Sequence, residues 1–290
     1  MACTYILYNP LSGAAKAKSR AQKLAEKAPA AKLIDVREIT SYETFFSSVS
    51  AEDSIILCGG DGTVNHFAND VAKLALPCKI YYYAVGSGND FARDLGHGYG
   101  DLPNYPINDY LCDLPEVEVG EMRRLFVNGI GYGIDGYCCE VGDIEREKRA
   151  AAHSEKPINY AAIAIRGLLG SFRPKNAVVT VDGVEHRFSR VWLAPTMHGH
   201  YYGGGMMPSP TQDRENRDAP ISTMVFHKAG MLRALLLFPS LFKGEHVKHK
   251  DCVTILTGHE ITVEYDSPCA LQIDGETVKN VTRYTARAVY

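Results

Sequence analysis

Three short stretches concentrate the residue types that handle phosphate and divalent cations: Asn9-Pro10-Leu11-Ser12-Gly13, Gly59-Gly60-Asp61-Gly62-Thr63-Val64-Asn65, and Gly86-Ser87-Gly88-Asn89-Asp90. In the second, three glycines surround one carboxylate, and a hydroxyl and an amide follow. Glycine has no side chain to hold a ligand away from the backbone, and N–H groups at a helix start favour an anion such as phosphate. Asp61 cannot itself attract a bare phosphate. Its expected partner is a cation, most simply Mg²⁺ carried in with a nucleotide. The competing reading is a plain strand-to-helix turn with a capping Asp, and three glycines about one Asp favour the phosphate reading.

The elements that would position these residues alternate. An apolar run over 54–58 has the length of a buried parallel strand, and Val64, Phe67, Ala68, Val71 and Leu74 form one helical stripe after the turn. A strand over 4–8 precedes the first stretch, and an alanine- and lysine-rich helix over 14–27 follows it. Residues 32–39 alternate as a strand does, and Thr40-Ser41-Tyr42-Glu43 has capping-box form before a helix reaching 49. A strand over 78–85 delivers the third stretch, and a short helix over 91–95 follows. Strands alternating with helices, three of them ending in small and polar residues, describe an open α/β domain with its ligand edge at those turns.

Past a Gly- and Pro-rich loop over 96–108 the pattern changes to strands at 116–120 and 125–133 and helices over 134–152 and 159–169. Strands follow at 177–181, 184–188, 190–194, 223–227, 253–257, 261–265, 270–273 and 284–289, with Asp182-Gly183 a hairpin turn. Asp274-Gly275 before Glu276 also reads as a hairpin turn. The expected division is an α/β domain over 1–122 and a β-rich domain over 123–290, with the placement of the last strand open between them.

With 290 residues the chain is long enough for two domains. A net charge of -3 without a basic block argues against nucleic acid as the main partner. The first residues show no basic segment leading an apolar one, so a cytoplasmic protein is expected. Eight cysteines lie scattered in apolar segments without a Cys-x-x-Cys pair, which suits reduced core thiols. No segment approaches the roughly 20 apolar residues of a spanning helix. The strongest candidate, 231–242, is broken by Arg233 and Pro239, and either covers a core or touches a bilayer surface.

In order and spacing, the three stretches resemble the catalytic domain of the diacylglycerol kinase family, in the bacterial branch related to sphingosine kinases. The resemblance continues through Asn128-Gly129-Ile130-Gly131-Tyr132-Gly133 to Gln272-Ile273-Asp274-Gly275-Glu276. It implies α/β plus β: an N-terminal Rossmann-like or phosphofructokinase-like three-layer nucleotide domain, a C-terminal β-sandwich, and an active site in the cleft between them. It also implies an ATP- and Mg²⁺-dependent lipid kinase that phosphorylates a hydroxyl of diacylglycerol or a sphingoid base. The enzyme would be peripheral at the membrane during turnover, and family members are often homodimers.

Carried over by residue, the resemblance places ATP phosphates and ribose at Asn9, Pro10, Ser12, Gly13, Gly59, Gly60, Asp61, Gly62, Thr63 and Asn65. Thr40, Ser87 (usually Thr in the family) and Asn89 would complete the nucleotide site. Asp61 and Asp90 would act through Mg²⁺ or its waters, with Glu118 a lesser addition, and Glu276 would be the general base. A family loop that holds a structural Mg²⁺ corresponds to 203–220, where Glu215, Asp218 and the Pro220 carbonyl would be the ligands. Here Asp218-Ala219 replaces the usual Asp-Gly. His66 and Val85 also depart from the usual Glu and Pro.

The alternatives are an NAD kinase, which shares the Gly-Gly-Asp-Gly turn and a β-rich second domain, and a non-catalytic nucleotide-sensing module. His198-Gly199-His200 and His246-Val247-Lys248-His249 lack a partner cluster of Cys or carboxylates and are expected as surface or loop histidines. His200-Tyr201-Tyr202 before three glycines reads as a mobile lining of the cleft.

Overall fold

The structure, a computed structural model, describes residues 2–15, 17–27, 30–100, 105–152 and 158–288. The chain forms two compact units, Met1–Leu114 with Tyr201–Gly205, and Pro115–His200 with Met206–Tyr290.

In the first unit four parallel strands, β1 (Thr4–Tyr8), β2 (Ala31–Asp35), β3 (Ser54–Gly59) and β4 (Lys79–Ala84), lie in the order β2-β1-β3-β4. Helices α1 (Ser12–Ala15), α2 (Ala17–Ala25), α3 (Tyr42–Phe46), α4 (Asp61–Val71) and α5 (Asp90–Asp94) connect them. Ile6, Ile56 and Cys58 pack on one sheet face with Ala17 and Ala21 of α2. On the opposite face Tyr5 meets Phe45 edge-on at 5.4 Å, and Tyr42 meets Phe67 of α4 at 5.1 Å. Alternate residues of each buried strand therefore serve two helical layers, which is why the strands read as continuous apolar runs. The expected strand over 32–39 stops at Asp35, where a 3₁₀ turn over Val36–Glu38 begins. The cap of α3 is Ser41, whose Oγ accepts from Thr44 N–H at 3.2 Å, rather than Thr40.

The second unit is an antiparallel β-sandwich built on strands β5 (Glu116–Val119), β6 (Met122–Leu125), β7 (Gly129–Tyr132), β8 (Lys175–Val181), β9 (Val184–Val191), β10 (Thr196–Met197), β11 (Ile221–Phe226), β12 (Val253–Gly258), β13 (Glu260–Ile273) and β14 (Glu276–Arg287). Three helices accompany them: α6 (Ile134–Ala151), α7 (Tyr160–Arg166), which runs on into a π turn over Gly167–Ser171, and α8 (Met231–Leu237), continued by a 3₁₀ segment over Phe238–Lys243. The β13–β14 hairpin is its spine: β13 pairs with β7 near its end, with β8 near its start and with β14 along its length. Tyr132, stacked on Tyr265 at 4.1 Å, and Tyr284 lie at the centre of its core. The unit begins at Pro115, so β5 and the start of β6 belong to it although both lie before the boundary expected at 122, and β14 stays within it.

Candidate active site

In the first unit the three polar stretches leave the carboxyl ends of β1, β3 and β4, side by side because those strands are parallel neighbours. Asn9 N–H donates to the Cys58 carbonyl at 3.2 Å, and the Asn9 Oδ1 and carbonyl accept from Leu11 and Ser12 N–H, each at 3.0 Å. This turn presents Asn9 Nδ2 and Ser12 Oγ to the Thr63 hydroxyl, at 3.4 and 3.1 Å. Three predicted nucleotide residues, Asn9, Ser12 and Thr63, thus meet in one cluster.

The glycines have separate reasons. A Cβ on Gly59 would collide with the Thr63 side chain, and one on Gly86 with the Gly60 Cα, so the β3 and β4 turns touch backbone to backbone. Gly13, at φ +59, would drive a Cβ into the Val85 carbonyl, so its glycine serves packing of the turn. A Cβ on Gly62, by contrast, would meet open space, and the N-cap Gly60 supplies no side-chain hydrogen bond to the start of α4.

Asp61 and Asp90 come together. The Asp61 carboxylate accepts from Asp90 N–H at 3.1 Å and Phe91 N–H at 2.9 Å, so it caps α5 from the neighbouring turn. Asp90 Oδ2 accepts from Gly204 N–H at 2.7 Å, and its Oδ1 lies 3.5 Å from the Arg93 guanidinium. A Cβ on Gly88 would stand 3.1 Å from the Asp61 carboxylate and 3.4 Å from that of Asp90, so the glycine leaves room for both. Burial first, and then the Asp61 charge, push the Asp90 carboxyl up to about 6, against the opposing pull of Gly204 N–H and Arg93. Two adjacent carboxylates with one exposed guanidinium beside them are under-compensated, which is the charge pattern that a divalent cation fits.

Arg93 is itself held over the Tyr201 ring, 5.5 Å from its centroid, and Gly205, at φ +108, leaves no space for a Cβ beside the guanidinium. Tyr201 thus has a defined place against Arg93, and Tyr202 is buried. Asn89 is buried at φ 54; its Nδ2 donates to the Gly86 carbonyl at 2.8 Å, while its Oδ1 has no hydrogen-bond partner among the described residues. Asn65 is buried in α4, accepting from Asn69 Nδ2. Pro10 is half-buried, and Thr40 and Ser87 are exposed. Thr40 lies in the β2–α3 connection, beyond the strand end where it is expected.

In the second unit Asp274-Gly275 forms the β13–β14 turn with both φ positive, 46 and 92, as such two-residue hairpins require. The turn does more than reverse the chain. The Asp274 carboxylate accepts from Val127, Asn128 and Gly129 N–H at 2.5, 2.9 and 2.9 Å and so fixes the connection between β6 and β7. Glu276 opens β14 with 40% of its side chain exposed and forms an ion pair with Arg124 Nη1 at 2.5 Å. Behind the turn, Gly275 N–H donates to Gln272 Oε1 at 2.6 Å, and Gln272 Nε2 donates to Asp135 Oδ2 at 2.9 Å. Burial pushes the Asp135 carboxyl up to about 6, with the Gln272 hydrogen bond opposing it. Glu118 pairs instead with Arg123 and Arg287, at 3.0 and 2.9 Å.

The loop suggested for a second metal does not fit one. The Pro220 carbonyl is buried and accepts from Gln212 Nε2 at 3.0 Å and from His198 Nδ1 at 3.2 Å, while Glu215 and Asp218 are exposed. Among the described residues no group of three or more His, Cys, Asp or Glu side chains could hold a metal ion. Of the histidines expected at the surface or in loops, His198 lies in a bend and His246 in a 3₁₀ turn, and both are buried, each donating to a proline carbonyl. Burial lowers the His198 imidazole to about 3.

Sequence reasoning assigned no role to Arg124, Asp135, Gln272, Arg93 or Gly204. Asp135 carried a signal, an acidic residue in the first turn of a helix behind Gly131-Tyr132-Gly133. Arg124 is one of many surface-type arginines in the sequence and carried none.

Residues 4–110 match the diacylglycerol kinase catalytic domain, and residues 133–287 match the YegS C-terminal NAD kinase beta sandwich-like domain. The chain is 27% identical over 206 residues to a diacylglycerol kinase of Mycobacterium tuberculosis (strain CDC 1551 / Oshkosh), a match covering 68% of this chain and 62% of the relative's length. It is 22% identical over 280 residues to a diacylglycerol kinase of Bacillus subtilis (strain 168), covering 93% and 88% of the two chains. Two solved structures from Bacillus anthracis str. Sterne share the fold. One, a diacylglycerol kinase, aligns with TM-score 0.59 and 17% identity over 99% of this chain and 94% of its own. The other aligns with TM-score 0.67 and 19% identity over 98% and 91%.

Proposed function

The chain belongs to the diacylglycerol kinase catalytic-domain family, and from that premise we propose that it is an ATP-dependent lipid kinase that phosphorylates a hydroxyl of diacylglycerol or a related lipid. The observation that carries this reading is the pairing of Asp61 with Asp90, beside glycine turns whose backbones touch at the ends of β3 and β4. The open start of α4 suits nucleotide phosphates. The Asn9, Ser12 and Thr63 cluster and the orphaned Asn89 Oδ1 offer polar groups for the rest of the nucleotide.

Mg²⁺ would be held through Asp61 and Asp90 or their waters, and supplies neutralisation of phosphate charge. The chain's own residues do the rest. Asp61 joins the β3 and β4 turns through the α5 N–H groups, so the two carboxylates keep a fixed spacing. Glu276 accepts the proton of the acceptor hydroxyl, and Arg124 keeps its carboxylate oriented. Phosphoryl transfer depends mainly on positioning and charge, and general-base help adds a further 10²–10⁴-fold, roughly.

The test is ADP release by purified protein with Mg²⁺ and diacylglycerol in mixed micelles, beside sphingosine and NAD. Lipid-dependent turnover is expected, with Glu276→Gln lowering kcat by roughly 10²-fold or more and leaving ATP affinity by calorimetry unchanged. Turnover on NAD alone would replace this reading with an NAD kinase. Tight ATP binding with no turnover on any lipid would replace it with a nucleotide sensor.

A further inference from the structure

At the carboxyl edge of the first unit's sheet, β2 ends on Asp35, in register with Tyr8, the residue before the Asn9 turn. Asp35 is buried, and both of its oxygens are engaged by one neighbour. Oδ1 accepts from the Arg37 backbone N–H and from Arg37 Nε, each at 3.0 Å; Oδ2 accepts from Nε at 3.2 Å and from Nη2 at 2.7 Å. A carboxylate gripped by the guanidinium fork fixes that group in one plane. The pair leaves 59% of the Arg37 side chain exposed against 8% of the Asp35 side chain, and Nη1 forms no hydrogen bond among the described residues.

Capping the 3₁₀ turn uses only the contact to the Arg37 N–H, which Asn or Ser would also supply. The other contacts orient the guanidinium. An ion pair with one partner in water adds little stability, so its placement is the more informative property. In open parallel sheets the ligand lies outside the carboxyl ends of the strands, and an acidic residue at the end of the strand beside the phosphate turn accepts from a ribose hydroxyl. Asp35 holds that place, one strand spacing, about 5 Å, from β1 and two from β3. Its acceptors, however, are occupied by Arg37. Hydrogen bonds from Arg37, with a smaller pull from Lys18 of α2, hold the Asp35 carboxyl below the usual carboxylate range against its burial. This corner therefore presents a fixed donor and a positive charge in place of a carboxylate. We propose that Arg37, oriented by Asp35, recognises the nucleotide's ribose by donating to its 2′-oxygen, so that the protein prefers ribonucleotides to 2′-deoxyribonucleotides. The inference rests on the nucleotide-binding part of the preceding function and adds to it a residue outside the three glycine-bearing stretches. Asp35 is the positioning residue, and Arg37 the one that touches the ligand.

Calorimetry of ATP and 2′-deoxy-ATP binding, each with excess Mg²⁺, tests this without any lipid turnover. Wild-type protein is expected to bind ATP roughly tenfold more tightly than 2′-deoxy-ATP, the lower end for a hydrogen bond from a charged donor. Asp35→Leu with Arg37→Met should bring the two affinities within about twofold of each other, chiefly by weakening ATP. That double change removes both charges together, so no carboxylate is left buried and unpaired, or free to take the hydroxyl itself. Arg37→Lys alters one exposed side chain and keeps its charge. Lysine lacks the planar fork, so most of the preference for ATP should go with it as well. A wild-type ratio retained in Arg37→Lys and in the double variant, with only the unfolding temperature lowered, would overturn the proposal and leave the pair as the cap of a 3₁₀ turn. Equal binding of the two nucleotides by wild-type protein would also overturn it, while the ATP affinity itself would leave the preceding function standing. Binding of neither nucleotide by any of the proteins would remove the ATP-dependent reading and this inference with it.

Discussion

At Asp90 two demands on one carboxylate pull in opposite directions. Folding buries it beside Asp61, which favours the protonated form, while a bound cation needs it ionised. Its carboxyl is raised from 3.8 to about 6, so below pH 6 protons would compete with the proposed Mg²⁺. The affinity for ATP in the presence of Mg²⁺ should therefore weaken toward about tenfold per pH unit below pH 6. Asp90→Asn should remove that dependence along with most of the turnover, and calorimetry of ATP binding at pH 5, 6 and 7.5 checks both. Asp61 shows what a single residue discloses in sequence. The glycines around it signal phosphate and metal chemistry, and the structure adds a second task, capping a helix that starts 29 residues later. Both the cap and the cation readings of Asp61 were visible in its type; that they coexist was not, because the capped N–H groups come from another turn. Glu276 is similar. The hairpin is legible from Asp274-Gly275, but its partner Arg124 lies 152 residues away and leaves no local trace.

Elements carry the next level of information, and there the hairpin of β13 and β14 decides where Glu276 sits. Asp274 satisfies three backbone N–H groups at once, one of the densest arrangements of charge-assisted bonds in the molecule. Asp274→Ala should destabilise the protein by about 3 kcal/mol or more, since each buried N–H left without its acceptor costs about 1–3 kcal/mol. Asp274→Asn keeps an acceptor oxygen and should lose less, and urea midpoints at constant m-value separate the two. Behind the turn, Asp135 and Gln272 hold Gly275, and under the proposed role of Glu276 as base they would be its positioning residues. Gln272→Leu removes both hydrogen bonds at similar volume and should lower kcat by roughly tenfold with KM for ATP unchanged, whereas Gln272→Glu, which keeps the acceptor for Gly275 N–H, should recover part of it. The inner strands β1 and β3 were legible because they are buried on both faces, and β1 matches its expected bounds. The sandwich was less so. The run over 125–133 read as one strand but breaks at Phe126–Asn128, where the backbone N–H groups turn to Asp274 instead of a neighbouring strand. The runs 261–265 and 270–273 read as two strands, yet β13 continues through Pro268 between them by shifting register around Cys269, as a residue without an N–H can do at a bulge.

Over the molecule as a whole, buried titratable groups set opposing slopes in the pH dependence of stability. Asp90 and Asp135 are both raised to about 6, so between pH 6 and pH 4 the native state binds protons that the unfolded chain has released. Stability from these two groups rises as pH falls through that window. His198, lowered to about 3, acts in reverse: below pH 6.5 the unfolded chain takes up a proton that the native imidazole refuses, and stability falls. Burial lowers His227 and His246 in the same direction. Two groups gain while three lose, so the midpoint temperature should fall less between pH 6 and pH 4.5 than the histidines alone would make it. Below pH 4 it should drop, because Asp35 and Asp53, held low by hydrogen bonds, must then take up protons. Replacing Asp90 and Asp135 together by Asn removes only the rising contribution. That variant should be more stable than wild type at pH 7.5, by at most about 3 kcal/mol for each carboxyl, with the advantage fading to nothing by pH 4. Its midpoint temperature should fall steadily from pH 6.5 downward, with no plateau. Parallel profiles for the two proteins in scanning calorimetry would mean that neither carboxyl is held neutral by the fold. The under-compensated charge that assigns a cation to Asp61 and Asp90 would then lose its main physical support.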